Sequence, residues 1–91
     1  MSEGVRYRRA PSVLSRTVGS EVLLTADDSA ELRSLDGSAA IVWQFLIGPA
    51  SAHQLTRLTA EAYGVAPATI AADVEALLAD LESTGLAERV D

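Results

Sequence analysis

Apolar spacing in this chain changes character at Asp36. Beyond it, Ala39, Val42, Trp43 and Leu46 fall at i, i+3, i+4 and i+7, the spacing of one face of a helix. Before it, Val13 to Val18 and Glu21 to Thr25 are short runs of β-favouring residues separated by Gly19-Ser20. A two-residue loop with Gly first suits a type II′ hairpin turn, because Gly takes the positive φ without strain. Asp27-Asp28-Ser29 makes a second polar turn, and Ala30 to Leu35 reads as a third strand. The three strands predict an antiparallel meander that precedes a helical half.

Three helices follow. Asp36 is placed to N-cap the first, its carboxylate accepting from exposed amides of the next turn, and Gly48-Pro49 ends it. Ser51 is placed to cap a second, with Leu55, Leu58, Thr59 and Ala62 along one face, and Tyr63-Gly64 closes it. Pro67 stands where a first helical turn tolerates proline. The third helix is expected from about Ala68 to Thr84, with Ile70, Val74, Leu77, Leu78 and Leu81 as a continuous apolar stripe, and Gly85 stops it. Leu86 to Val90 is expected as an extended tail. The fold class that results is α+β, a winged helix-turn-helix-like arrangement with a three-stranded antiparallel sheet followed by three helices. Residues 1–11, with Arg6, Arg8, Arg9 and Pro11, are expected as a flexible N-terminal arm, and residues 12–91 as a single domain.

Composition removes several classes of function. With 91 residues there is room for one modest core. There is no cysteine, so disulfides, thiol catalysis and cysteine metal sites are excluded. The lack of cysteine points to a reducing, cytoplasmic setting, and no membrane partner is expected, since no apolar run approaches the ~20 residues that span a bilayer. The net charge is −6 and lies mainly in the second half, where residues 49–91 carry two arginines against seven acids. Such a surface repels nucleic acid, whose backbone is bound by basic groups that displace counterions. No nucleic-acid partner is expected.

Catalytic chemistry is not encoded in any pattern. His53 is the only histidine and has no evident orienting partner or fellow ligand; it reads as a solvated surface residue. The serines form no nucleophile elbow and the glycines no phosphate-cradling loop. Asp27-Asp28 is not followed by carboxylates at calcium-loop spacing and reads as a turn. No catalytic residue, metal site or cofactor is therefore assigned, and the chain is expected not to be an enzyme. Trp43 reads as core and the arginines of the arm as a solubilising tail. The third helix is more informative: Asp73, Asp80 and Thr84 line one margin of its apolar stripe, and Ala71, Glu75 and Glu82 the other. An ordinary amphipathic helix accounts for this pattern, and so does one wall of a groove with acids at its rim.

The run Leu35-Asp36-Gly37-Ser38-Ala39-Ala40-Ile41-Val42-Trp43 resembles the Leu-Asn-x-Thr-Ala-x-x-Ile-Trp signature of PqqD-like proteins. Leu58-Thr59-Ala60-Glu61-Ala62-Tyr63 is similar to that family's second helix. Asp73-Val74, Leu77-Leu78, Leu81 and Gly85-Leu86 resemble its Asp-Val-x-x-Phe-Leu-x-x-Leu-x-x-x-Gly-Leu ending. The likeness spans roughly residues 12–88. Asp36 and Ser38 replace the usual Asn and Thr, which keeps capping chemistry, and Leu77 replaces a common Phe, which alters any pocket there.

The resemblance implies a recognition element for ribosomally made, modified peptides. Such an element binds the leader segment of a precursor and presents the precursor to maturation enzymes. It implies that the leader adds as a strand to the free edge of the third strand and lies against the third helix. On this chain Glu31, Leu32, Arg33 and Ser34 would then supply the edge, and Asp73, Ala76, Leu77 and Asp80 the facing wall. The implied partners are the precursor leader peptide with a leader peptidase and a cyclase, as in lasso-peptide pathways, or with a radical enzyme, as in quinone-type pathways. Short length leans toward the lasso type. A winged-helix DNA-binding domain and an assembly subunit that self-pairs through its strand edge are the competing readings.

Overall fold

A computed structural model describes residues 5–26 and 32–90. In chain order the elements are β1 (Arg6–Arg9), β2 (Leu14–Val18), β3 (Glu21–Thr25), β4 (Arg33–Leu35), α1 (Gly37–Phe45), α2 (Ala52–Tyr63), α3 (Pro67–Ser83) and β5 (Ala87–Val90). Strands β2, β3 and β4 form the expected antiparallel meander, in that order. Val18 pairs with Glu21 across the two-residue turn, and Gly19 takes a φ of 64° there, the left-handed backbone that a β-branched or bulky residue resists. The register sets Val22 and Leu24 on the core side and Leu23 on the other, since successive strand residues point to opposite faces. The expected turn at Asp27-Asp28-Ser29 and the start of the third strand at Ala30 lie outside the described residues.

The helical half largely follows its periodicity. Trp43, Leu46, Leu55, Leu78 and Leu81 are almost wholly withdrawn from solvent and pack with Val22 and Leu24 of the sheet into one core. At about 25 cal/mol per Å² of apolar surface, a fully buried side chain of this size contributes roughly 1.5–3 kcal/mol, so this cluster is the main source of stability. Ser51 caps α2 as expected: its hydroxyl accepts from the Gln54 amide at 3.1 Å, and the Gln54 side chain accepts in return from the Ser51 amide at 2.9 Å.

Three expectations change. Asp36 occupies the N-cap position of α1, but its side chain makes no capping bond. The chain enters that helix through Gly37, at φ 59°, a backbone readily available to glycine. The buried face of α2 is Leu55, Thr56, Thr59 and Ala60, so Leu58 and Ala62 turn outward. Finally, within the segment expected to be a free arm, Arg6–Arg9 form a strand. It pairs antiparallel with β5, Arg6 opposite Val90 and Arg9 opposite Ala87, so the expected C-terminal tail is also a strand. Tyr7 closes the other side of β1 by exchanging backbone hydrogen bonds with Ala50 at 2.8 and 3.0 Å.

Candidate functional site

β4 ends the three-stranded sheet. Its inner side is bonded to β3, with Leu24 opposite Arg33, Leu23 opposite Ser34 and Val22 opposite Leu35. No described strand pairs with its outer side. An unpaired edge carries amides and carbonyls that a second extended segment can complete. Alternation fixes what flanks it. Leu35 is buried, and Arg33, on the same side, reaches α3 and forms an ion pair with Asp80. Ser34 faces the other way and its hydroxyl donates to the Glu21 carboxylate of β3.

Between the start of α1 and the middle of α3 lies a cleft of about 150 Å³, lined by Ser38, Ala39, Val42, Asp73, Val74 and Leu77. Asp73 and Leu77 are one turn apart on α3, and Asp80 is a further turn along the same margin. Asp73 is exposed and has no ion-pair partner among the described residues. Leu77 is half-buried, packed on the core with part of its side chain open to the cleft. A free strand edge, an apolar recess and two carboxylates therefore share one side of the molecule.

Of the residues singled out in the sequence, Asp73 and Leu77 meet in the cleft, and Arg33 and Asp80 meet as an ion pair. Leu32 is two-thirds exposed beside the edge. Ala76 is exposed on α3 and does not line the cleft. Ser34 lies on β4, and its side chain is turned to the far face, where it bonds Glu21. Glu31 lies outside the described residues. Ser38, Ala39 and Val42 complete the cleft and were not picked out by sequence reasoning. The helical stripe marked Val42 and Ala39 as core, and nothing local says that their outer flank faces α3.

A wider concavity of about 530 Å³ opens on the other margin of α3, lined by Val5, Tyr7, Ser51, Ala52, His53, Glu75 and Leu78. Its strand wall is β1, which is already bonded to β5 on one side and through Tyr7 to Ala50 on the other. It offers no open edge to a guest strand. His53 is exposed there. Among the described residues no group of three or more His, Asp or Glu side chains is gathered to hold a metal ion, and no helix is long and apolar enough to cross a membrane.

Fold and edge together define a small α+β protein of the winged helix-turn-helix type with an exposed sheet border beside its third helix. The family model described as coenzyme PQQ synthesis protein D (PqqD) matches residues 21–87, and the chain belongs to that family. No curated protein matches it at a significant level. Among solved structures it is similar to TbiB1 in complex with the TbiA(beta) leader peptide, at 20% identity and a TM-score of 0.76 over 89% of this chain and 94% of that one. It is similar to a lasso peptide synthetase B1 complexed with the leader peptide, at 23% identity and a TM-score of 0.73 over 89% and 95%. A third is the PqqD truncation of Methylobacterium extorquens PqqCD, described as a functional and stand-alone recognition element for ribosomally synthesised and post-translationally modified peptides. That match has 26% identity and a TM-score of 0.74 over 92% and 89%.

Proposed function

We propose that this protein binds, without catalysing a reaction, the leader segment of a ribosomally synthesised precursor peptide and presents it to maturation enzymes. The observation that carries this reading is the unpaired outer side of β4 alongside the recess walled by α1 and α3. Strand addition takes its affinity from main-chain hydrogen bonds and its selectivity from pockets for alternate side chains. Each such bond contributes only about 0.5–1.5 kcal/mol net, so four or five do not by themselves outweigh the ordering of a flexible leader. The recess supplies the rest, taking an apolar side chain against Val42, Val74 and Leu77. Edge residues Leu32, Arg33 and Ser34, with Glu31 before them, and wall residues Asp73, Ala76, Leu77 and Asp80 form the binding surface in this reading.

The two leader complexes among the similar structures support the same use of the fold, and the likeness to a lasso peptide synthetase B1 favours a peptidase and a cyclase over a radical enzyme as partners. The cytoplasm, where precursors are made, is the matching compartment. Replacing Leu77 by Asp places a charge in the recess and should weaken leader binding by at least about tenfold, or about 1.4 kcal/mol. Fluorescence titration of the precursor leader reads this, with circular dichroism as the check that the half-buried site still folds. An unchanged dissociation constant in a folded variant rejects the groove.

A further inference from the structure

Building on the proposed leader groove, we infer that this slot reads charge at one position of its guest, selecting a basic side chain two residues from an apolar anchor, and that Asp73 is the residue that does so.

The direction of the chain gives the register. Arg33 lies beside Asp80, while Ser38 and Ala39, five and six residues later, lie beside Asp73 and Leu77. The backbone from β4 into α1 thus runs along α3 in the opposite sense, and a strand added to the β4 edge lies lengthwise against that helix. Along α3, Asp73 and Leu77 are about 6 Å apart, and Asp73 and Asp80 about 10.5 Å, at 1.5 Å per residue. In an extended guest, side chains on one face recur about every 6.7 Å. Two successive guest residues of that face therefore come opposite Asp73 and Leu77, and the third reaches about 3 Å beyond the Arg33–Asp80 pair.

Each of these places asks for something different. Leu77 opens into the cleft of about 150 Å³, the size of cavity that accepts a benzene ring, so one aliphatic or aromatic side chain fits. Asp80 has its charge matched by Arg33, and that pair is neutral as a unit. A guest residue there gains little from charge of either sign. Asp73 has no ion-pair partner among the described residues and lines the recess. A lysine or arginine of the guest is attracted there, and a carboxylate is repelled in a chain already at −6. The signature is basic, any residue, apolar, read from the Asp73 end toward the Asp80 end.

The test is a display selection of random short peptides on three proteins: wild type, Asp73→Lys and Leu77→Asp. Peptides recovered on wild type are then titrated directly, each with Lys or Glu at the selected basic position. The expected result is Lys or Arg enriched two residues from an apolar anchor. Exchange of Lys for Glu should weaken binding at least about fivefold, the equivalent of 1 kcal/mol. On Asp73→Lys the order of the two peptides should reverse. Asp73 is exposed, so this variant keeps the fold, and a melting curve verifies it. Peptides that need Leu77 but bind equally with Lys or Glu overturn the charge reading and leave the groove standing. Peptides that bind Leu77→Asp as tightly as wild type overturn the groove and the leader reading with it.

Discussion

Arg9 shows what one side chain contributes here. Its guanidinium lies over the Trp43 ring, 4.5 Å from the centroid, and its Nη2 donates to the Trp43 carbonyl at 2.6 Å. Partial burial pushes the group below its ordinary value, yet arginine starts so high that it stays charged at any physiological pH. Arg9 Nε and Trp43 Nε1 are both buried without partners, a cost that the cation–π stack helps to offset. Replacing Arg9 by Ala should lower unfolding stability by about 1–2 kcal/mol, read by urea denaturation. Lysine should recover only part of this, because it lacks the flat face. Burial of Trp43 was legible from its place in a helical stripe. The role of Arg9 was not, because its partner is 34 residues away and three arginines near a chain end look like a solvated tail.

At the scale of elements, local chemistry and tertiary packing divide the work. The start of α2 is local, a reciprocal pair of hydrogen bonds between Ser51 and Gln54, and it was legible from the serine alone. Ser51→Ala should cost about 1 kcal/mol, seen as a lower thermal midpoint with an unchanged fold. The buried side of α2 is not local. The helix packs against both α1 and α3, which turns Thr56 and Ala60 inward and leaves Leu58 42% exposed. A single-face pattern does not report a helix held from two sides. The candidate site divides in the same way. Asp73 and Leu77 stood out as the edge of an apolar stripe, whereas the Arg33–Asp80 ion pair needs the sheet to be set against α3. That pair is partly exposed on both sides, so Asp80→Asn should change stability by less than about 1 kcal/mol. It should, however, leave the Arg33 charge uncovered at the edge. A guest with a carboxylate at the facing position should then bind better than to wild type, which a paired titration of acidic and neutral peptides would reveal.

For the molecule as a whole, the informative feature is the ribbon that joins its two ends. β1 and β5 meet from opposite ends of the sequence. The bonds from Tyr7 to Ala50 and from Ala10 to Leu86 extend the ribbon onto the helical body. An Arg-Tyr-Arg-Arg run has no apolar alternation, so nothing in its own sequence marks it as a strand; its pairing is set by β5. Leu86, just before β5, and Ala87, its first residue, are buried, and Arg9 reaches the core tryptophan from this layer. A chain beginning at Ala10 loses the β1 ladder, the Tyr7 bridge and the Arg9 stack together. Stability should fall by several net hydrogen bonds at about 0.5–1.5 kcal/mol each. For a domain of this size, 1 kcal/mol moves the midpoint by about 4–8 °C, so a drop of at least about 10 °C is expected in a thermal melt. The ribbon lies toward the Glu75 margin of α3, where Tyr7 lines the wider concavity, and the strand edge lies toward the Asp80 margin. Below its lowered midpoint the shortened protein should therefore bind a leader peptide within about twofold of the full chain. A larger loss of affinity in a protein that still melts cooperatively would mean that the ribbon belongs to the binding surface, and that the two margins of α3 act as one.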